Sequence, residues 1–347
     1  MAAITPVELK KKMDNGHVII LDVREPFEYK DWHIPGAVNV PVSSVMRNPE
    51  LEIPKESEII AVCSHGIRSA SAVRYLNMAG FNARSLAGGM VEWNGVYDFI
   101  EISEDIIQVR RVGKGCLSYI LISGGEAAVI DPAVDVDIYT NWAKGKNLNV
   151  AAVIDTHAHA DHTSGGRMMA KSGIPYYAPV EVGLGNPIKG GDKISIGSLE
   201  LSAMAAPGHT KGSLVYRTGR FIFTGDTLFT DSVGRPDLGQ KASENAPLLY
   251  DTIQRLLALP DNIIVLPAHS EIDAIRKEVP IKETIEELRE LPVLRKSKDE
   301  FVSWVSESMP PPENFEIIKE YNTGKIVIDS LEEFRELEAG ANRCAVK

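Results

Sequence analysis

Apolar residues fall in short runs along the chain, and the runs change character near residue 100. Before that point, "HVIILDV" and "SEIIAVC" read as buried strands, and "IRSASAVRYLNMAG" has helical spacing that ends at Gly80. Thr5 and Pro6 read as an N-cap and first helical position ahead of "VELKKKM", and "NARSLAGG" as a further strand and turn. The pattern breaks at "YDFIEISED" and restarts. From roughly 103 to 275, strand-like runs recur as "IIQVRRV", "LSYILIS", "EAAVID", "VAAVID", "LELSAMAA", "SLVYRT", "RFIFTGD" and "NIIVLPA". Helical stretches lie near "IYTNWAKGKNL" and "GGRMMAKSG". This alternation predicts an α/β chain: a small α/β domain over 1–100, then two sheets covered by helices over 103–290. From "EIDAIRKEVP" onward a helical region, the proline run "MPPPENF" and the tail "GANRCAVK" follow. Residues 291–347 are expected to pack on the second domain as an extension.

Composition narrows the class. The 347 residues suffice for two ordinary domains, and 44% hydrophobic with 24% charged residues is typical of a folded globular protein. A formal net charge of -11 without a Lys/Arg run argues against nucleic acid or an anionic membrane as a partner. No apolar stretch approaches the roughly 20 residues needed to span a bilayer. The N-terminus lacks a secretory apolar core, which points to the cytoplasm. A homodimer is the default expectation for assembly. Cys63, Cys116 and Cys344 are odd in number and far apart, so each reads as a separate thiol.

The densest chemistry is "THAHADH", which follows the strand-like "VAAVID" and contains His157, His159, Asp161 and His162. Three further runs end an apolar strand in a candidate ligand: "LSAMAAPGHT" at His209, "RFIFTGD" at Asp226 and "NIIVLPAH" at His269. Adjacent strands that all end in a ligand bring those ligands to one edge of the sheets. Imidazoles and carboxylates without cysteine suit zinc, iron or manganese in a reactive site rather than a structural zinc knot. Any one of these histidines alone would read as a solvent-exposed turn residue. Five histidines and two aspartates at strand ends do not.

The run "HxHxDH" with later His, Asp and His resembles the signature of the metallo-β-lactamase superfamily, over about half the chain. The resemblance implies an αβ/βα sandwich with metal at the strand ends. "APGHTKGS", "FTGDTLF" and "LPAHS" are similar to the glyoxalase II and persulfide dioxygenase branch. For a persulfide dioxygenase the resemblance implies one Fe(II) held by His157, His209 and Asp226. His159, Asp161, His162 and His269 would then orient ligands or hold water. For a glyoxalase II it implies two zinc ions bound by the same residues and hydrolysis of a thioester. Gly234-Arg235 followed by Pro236-Asp237 looks like the Gly-Arg-x-Asp run of the dioxygenases. Arg235 would pair with a substrate carboxylate or hold its loop through Asp237. The C-terminal "PPPENFEIIKEYNTG" and "GANRCAVK" also resemble that group's tail, in place of the helical substrate domain of glyoxalase II.

"CSHGIRS" joins the run "EIIAV" to a helical stretch, which places Cys63 on a loop at a helix N-terminus. Converging backbone N–H groups and Arg68 favour a thiolate there and stabilise a bound anion or persulfide. A lone cysteine after a strand is more often a buried apolar residue; the Gly, Arg and Ser in the same loop weaken that reading. "LDVREPFEYKDWHIPGAVNVP" and "LAGGMVEW" resemble the rhodanese family over roughly the first hundred residues. The resemblance implies sulfur transfer through a Cys63 persulfide, with Arg68, Ser64, His65, Gly66, Ile67 and Ser69 around the sulfur. Asp22, Arg24, His33 and Gly36 match the family's structural motif; Asp31-Trp32 departs from it where a glycine commonly precedes the histidine.

Together the two resemblances imply oxidation of a persulfide R–SSH by O2 to sulfite and R–SH, coupled to transfer of thiosulfate or persulfide sulfur at Cys63. Glutathione, coenzyme A and bacillithiol are the candidate carriers. The alternative is a dinuclear zinc glyoxalase II-type hydrolase with an appended sulfurtransferase. A third reading makes one domain a non-catalytic sensor. Cys116 reads as a packed thiol, and no chemistry attaches to Cys344.

Overall fold

In the computed structural model, residues 3–16, 18–49, 51–237, 242–271, 279–307 and 314–346 are described. Most of "EIDAIRKEVP" and of "MPPPENF" lies outside them. The chain divides into two compact units. The first comprises 1–98 with 111–114 and 339–341, the second 99–110 with 115–338 and 342–347.

The first unit is a parallel four-stranded sheet of β1 (Ile19–Asp22), β2 (Val38–Asn39), β3 (Glu58–Val62) and β4 (Asn82–Ser85), in the order β2-β1-β3-β4. Its helices are α1 (Pro6–Asp14), α2 (Pro26–Asp31), α3 (Val42–Arg47), α4 (Ile67–Met78) and α5 (Gly89–Trp93). Thr5 caps α1 reciprocally with Glu8, and Pro6 follows in the first turn, where a missing N–H costs nothing. In β3, Ile59 to Val62 are fully buried on both faces, the pattern of a central parallel strand. Leu21, Ala61, Ala72 and Leu76 join Cys63 in one core. Cys63 therefore stands at the C-terminal end of an interior strand, where the chain turns into α4.

The second unit contains two sheets. One runs β11-β10-β9-β8-β7-β6-β5, from β5 (Tyr97–Ser103), β6 (Ile106–Arg111), β7 (Leu117–Ser123), β8 (Glu126–Ile130), β9 (Asn149–Ile154), β10 (Tyr176–Pro179) and β11 (Asn186–Ile188). The other runs in chain order through β12 (Lys193–Ile196), β13 (Leu199–Ala205), β14 (Leu214–Thr218), β15 (Phe221–Gly225), β16 (Ile264–Pro267) and β17 (Glu283–Thr284). Period-two alternation builds the layers. Leu214, Tyr216, Phe223 and Leu266 face Tyr119, Ile130 and Ile154 of the first sheet. The intervening Val215, Ile222 and Val265 face outward onto helices. Those helices are α8 (Ala242–Leu257), α9 (Ile285–Leu288) and α10 (Lys298–Val305); α6 (Asp137–Gly145) and α7 (Gly166–Lys171) cover the first sheet. Helices α11 (Phe315–Asn322) and α12 (Leu331–Leu337) follow, with Tyr321 and Phe334 packed on Val134. Helix, sheet, sheet, helix is the layer order of an α/β sandwich.

The pattern break at "YDFIEISED" coincides with the boundary of the two units, between Asp98 and Phe99, and the segment itself forms β5. That strand is only half-buried along its length, so neither a continuous apolar run nor clean alternation marks it. No helix among the described residues is long and apolar enough to cross a membrane.

The close fit around Cys63 has a measurable consequence. Gly89 adopts φ +61°, and a Cβ there would stand 2.1 Å from the Cys63 carbonyl oxygen, which accepts the Met90 N–H at 2.9 Å. Gly89→Ala is predicted to destabilise the first unit by about 2 kcal/mol or more, read by thermal unfolding and by faster hydrogen exchange in α4. Unchanged unfolding and exchange would contradict this packing.

Candidate functional sites: a buried donor cluster and a cysteine loop

Five strands deliver side chains to one edge of the sandwich. Asp131 follows β8, His157 follows β9, His209 follows β13, Asp226 follows β15 and His269 follows β16. All five are buried. His157 Nε2 and His209 Nε2 lie 3.7 and 3.6 Å from Asp226 Oδ2, with the two rings perpendicular at a centroid distance of 4.9 Å. None of these three atoms has a hydrogen-bond partner. Buried polar atoms are nearly always paired, and three orphans aimed at one point require an explanation. Bonds of about 2.1 Å from each would let one ion satisfy all three.

Hydrogen bonds on the far side of each ring set the tautomers. Thr156 gives its hydroxyl proton to Asp131 Oδ2 at 2.9 Å, so its oxygen accepts from His157 Nδ1 at 2.9 Å. His209 Nδ1 donates to the Arg235 carbonyl at 2.9 Å. Both Nε2 atoms therefore carry the free lone pair. Burial, reinforced by the neighbouring His159, holds His157 well below the usual histidine range, in the neutral form that a ligand needs. Asp226 Oδ1 accepts from His269 Nδ1 at 2.6 Å, leaving Oδ2 for the cluster.

The remaining members of "HAHADH" point elsewhere. His159 Nε2 lies 3.2 Å from Asp131 and 3.8 Å from Asp155. Burial opposes its charge, but these two carboxylates push it well above the usual range. His162 Nδ1 contacts Asp161 Oδ1 at 3.1 Å. Asp161 Oδ2 lies 2.9 Å from His269 Nε2, without the alignment of a hydrogen bond. Two thiols stand beside this second group. Cys116 Sγ is within 4.8 Å of ligand atoms of Asp161, His162 and His269, and Cys344 Sγ within 4.8 Å of those of Asp161, Asp226 and His269. All three cysteines are buried and unbridged.

The tail carrying Cys344 is fastened to the loop after Asp226. Arg235 N–H donates to the Cys344 carbonyl at 2.9 Å, and Val346 N–H to the Val233 carbonyl at 3.0 Å. Gly234 makes the loop possible, because a Cβ there would stand 1.7 Å from the Asp226 carbonyl oxygen. The Arg235 guanidinium is 2% exposed and forks onto Asp237 with two contacts of 2.6 Å. Its main-chain carbonyl, rather than its side chain, reaches His209.

In the first unit, Cys63 Sγ accepts the Gly66 N–H at 3.1 Å and the Ser69 N–H at 3.4 Å, with Ser69 Oγ at 3.5 Å. Gly66 stands at φ 91° as the N-cap of α4, which aims these donors inward. His65 and Ile67 are exposed on the same loop, while Ser64 and Arg68 are half-buried. Arg68 grips Glu28 of α2 through two hydrogen bonds of 2.7 Å. That grip, opposed in part by burial, lowers the Glu28 carboxyl to about 2, so the pair is fully ionised at neutral pH. Away from the sulfur, Asp22 and Arg24 form a buried ion pair at 2.6 Å, and His33 Nδ1 bonds to the Tyr29 carbonyl at 2.7 Å.

A family model described as "Rhodanese-like domain" matches residues 5–95, and one described as "Metallo-beta-lactamase superfamily" matches 111–184 and 172–269. The chain joins a rhodanese-like domain to a metallo-beta-lactamase domain. Its relatives include a hydroxyacylglutathione hydrolase of Nitrosomonas eutropha, 36% identical over 171 residues, or 48% of this chain and 64% of that one. The match thus spans less than two thirds of the hydrolase's own length. Among solved structures, a metallo-beta-lactamase from Staphylococcus aureus is 25% identical with TM-score 0.59, covering 65% of this chain and 74% of that one. ETHE1 from Myxococcus xanthus is 26% identical with TM-score 0.55, covering 67% of this chain and 100% of that one. The metallo-beta-lactamase fold implies metal binding, in keeping with the His/Asp clusters.

Sequence reasoning missed several residues that hold these sites. Asp131 and Asp155 were visible only as the ends of "EAAVID" and "VAAVID", a repeated strand-then-acid pattern that was the available signal. Glu28 and Cys344 had none, since their neighbours lie far away in the chain. Asn322 belongs with them. Its Nδ2 donates to the His159 and His162 carbonyls, both at 2.9 Å, and its Oδ1 accepts the Ser164 N–H at 2.8 Å. One buried amide from α11 thus pins the backbone of the "HAHADHTS" loop. Asn322→Ala is predicted to cost about 2–3 kcal/mol by leaving buried main-chain groups unpaired, measured by denaturant unfolding of the metallo-beta-lactamase domain. A cost below about 0.5 kcal/mol would contradict this anchoring role.

Proposed function

We propose that this chain processes sulfane sulfur at both sites. In the metallo-beta-lactamase domain a low-molecular-weight thiol persulfide is oxidised by O2 to sulfite and thiol. In the rhodanese-like domain sulfur passes through a persulfide on Cys63. The observation that carries the first half is the donor set His157 Nε2, His209 Nε2 and Asp226 Oδ2. Two imidazoles and one carboxylate, buried and unpaired, make the composition that holds non-haem Fe(II) with open positions. Iron bound there supplies the activation of O2 beside a persulfide sulfur.

The chain's own residues prepare that site. Thr156 and the Arg235 carbonyl fix the two imidazole tautomers, and His269 occupies one oxygen of Asp226 so that the other stays available. His159 is held by Asp131 and Asp155, while Asp161 and His162 are paired with each other. In this reading these residues, with His269, orient the ligands. The Cys116 and Cys344 thiols lie within 4.8 Å of donor atoms of Asp161 and His269, so a second ion there would meet sulfur, unlike an ion at the His157, His209 and Asp226 triad. Likeness to ETHE1 supports the persulfide dioxygenase reading. Cys63 receives its role from the rhodanese-like domain and from the N–H groups turned to its sulfur.

A second reading rests on the hydroxyacylglutathione hydrolases among the relatives. Asp161, His162, His269 and Asp226 would then take a second metal, and two zinc ions would serve hydrolysis of a glutathione thioester. The readings separate in one experiment. Iron-loaded full-length protein is expected to consume O2 and release sulfite with glutathione persulfide or coenzyme A persulfide. Alanine at His157, His209 or Asp226 should abolish metal retention and uptake, and Thr156→Val should weaken metal binding about 10–100-fold. Hydrolysis of S-lactoylglutathione by a two-zinc protein, with no oxygen uptake from either persulfide, would overturn the dioxygenase reading.

A further inference from the structure

The Cys63 loop holds one permanently charged side chain between positions 63 and 69, that of Arg68. A sulfur donor such as thiosulfate would need that cation, because it arrives as a dianion and leaves as sulfite, still doubly charged. Arg68 is spoken for. Its guanidinium meets both oxygens of Glu28 at 2.7 Å, a planar fork on a planar carboxylate. The Ser64 hydroxyl beside Cys63 is drawn into the same arrangement. It donates to Glu28 Oε1 at 3.1 Å and accepts from Arg68 at 3.0 Å, so its proton is also committed. The Arg68 and Ser64 side chains are thus both turned to one carboxylate from α2, while the Ser69 hydroxyl stays 3.5 Å from the Cys63 sulfur. Glu28 is fixed in place by its own helix start, accepting the Glu25 N–H at 3.0 Å. Phe27 and Ile67, which precede Glu28 and Arg68 in the chain, are 73% and 78% exposed.

We propose that Glu28 sets the donor preference of the Cys63 site by cancelling the charge of Arg68, so that the site takes an organic persulfide in preference to thiosulfate. This rests on Cys63 being the sulfur-accepting residue. The Cys63 thiolate attacks the outer sulfur of R–S–SH, a new S–S bond forms at Cys63, and the donor's own S–S bond breaks. The electron pair leaves with R–S⁻, which takes a proton from water and departs as R–SH. Cys63 is oxidised to the persulfide as the donor is reduced to the thiol, and no further oxidant is needed. With a persulfide the leaving group is a protonatable monoanion that backbone N–H groups can support. With thiosulfate the departing sulfite keeps two charges and finds a cation already neutralised. The exposed Phe27 and Ile67 offer contact area to an organic R group, which thiosulfate lacks.

The test uses full-length protein without oxygen, so that the metal site consumes no donor. Persulfide on the Cys63 peptide is followed by mass spectrometry in single turnovers with thiosulfate and, separately, with glutathione persulfide. The wild type is expected to react faster with glutathione persulfide. Glu28→Gln should raise the thiosulfate-to-persulfide ratio of second-order rate constants about tenfold. The double variant E28Q/R68Q should return the ratio to near the wild-type level, because the released cation is then absent. A wild type that prefers thiosulfate, or an unchanged ratio in Glu28→Gln with transfer intact, would overturn the proposal. No transfer to Cys63 from either donor would overturn the sulfurtransferase reading beneath it.

Discussion

Three buried atoms without partners, His157 Nε2, His209 Nε2 and Asp226 Oδ2, are the constraint around which the second domain is organised. In an empty interior each would cost on the order of 1–3 kcal/mol, so a fold that gathers three must recover that cost by binding something. The sandwich accomplishes the gathering by topology. β9 of one sheet and β13 and β15 of the other end at the same edge, and each ends one to four residues before its donor. The interleaved core of Tyr119, Ile154, Tyr216 and Phe223 keeps the two sheets in register behind them. The geometry of the site is therefore a property of the core, not of the loops alone.

Charge is managed by a second tier of residues. Four carboxylates, of Asp131, Asp155, Asp161 and Asp226, lie among the five clustered imidazoles, each of which comes within 4 Å of at least one of them. Asp155 is tied further to the Ser164 hydroxyl at 2.8 Å and the Tyr176 hydroxyl at 2.6 Å. Besides the three triad atoms, His159 Nδ1, Asp161 Oδ2 and His269 Nε2 of this network also lack hydrogen-bond partners. The C-terminal segments complete it. Asn322 pins the histidine loop, and the strand-like pairing of Gly234 with Ala345 brings Cys344 against Asp226. Residues at the far end of the sequence are thus part of the site's support.

What the sequence disclosed follows from how each feature is encoded. The strands around "VAAVID", "RFIFTGD" and "NIIVLPA" are legible because alternation and strand-end ligands are local. So are the capped start of α1 and the turn of Cys63 into α4. β5 is illegible because it is half-buried throughout, and β11, with Pro187 inside it, has no apolar run at all. The donor triad was legible as residue types, through the resemblance; its tautomers were not, because they depend on Thr156 and the Arg235 carbonyl. Glu28, Asn322 and Cys344 act across sequence separations of 40, 160 and more than 100, and no local pattern encodes contacts of that range.

The two candidate sites differ in their electrostatics. Around Cys63 a small set of N–H donors and a cancelled ion pair suit a transient anion. Around Asp226 a buried cluster with fixed lone pairs suits a cation. The central claim is that this pocket holds one iron through two imidazoles and one carboxylate. Iron-edge X-ray absorption of the full-length iron-loaded protein tests it most directly. The account predicts a nitrogen and oxygen shell with scattering from two imidazoles and no second metal nearby. A metal–metal vector, or a thiolate sulfur from Cys116 or Cys344 in the shell of the substrate-free protein, would contradict it.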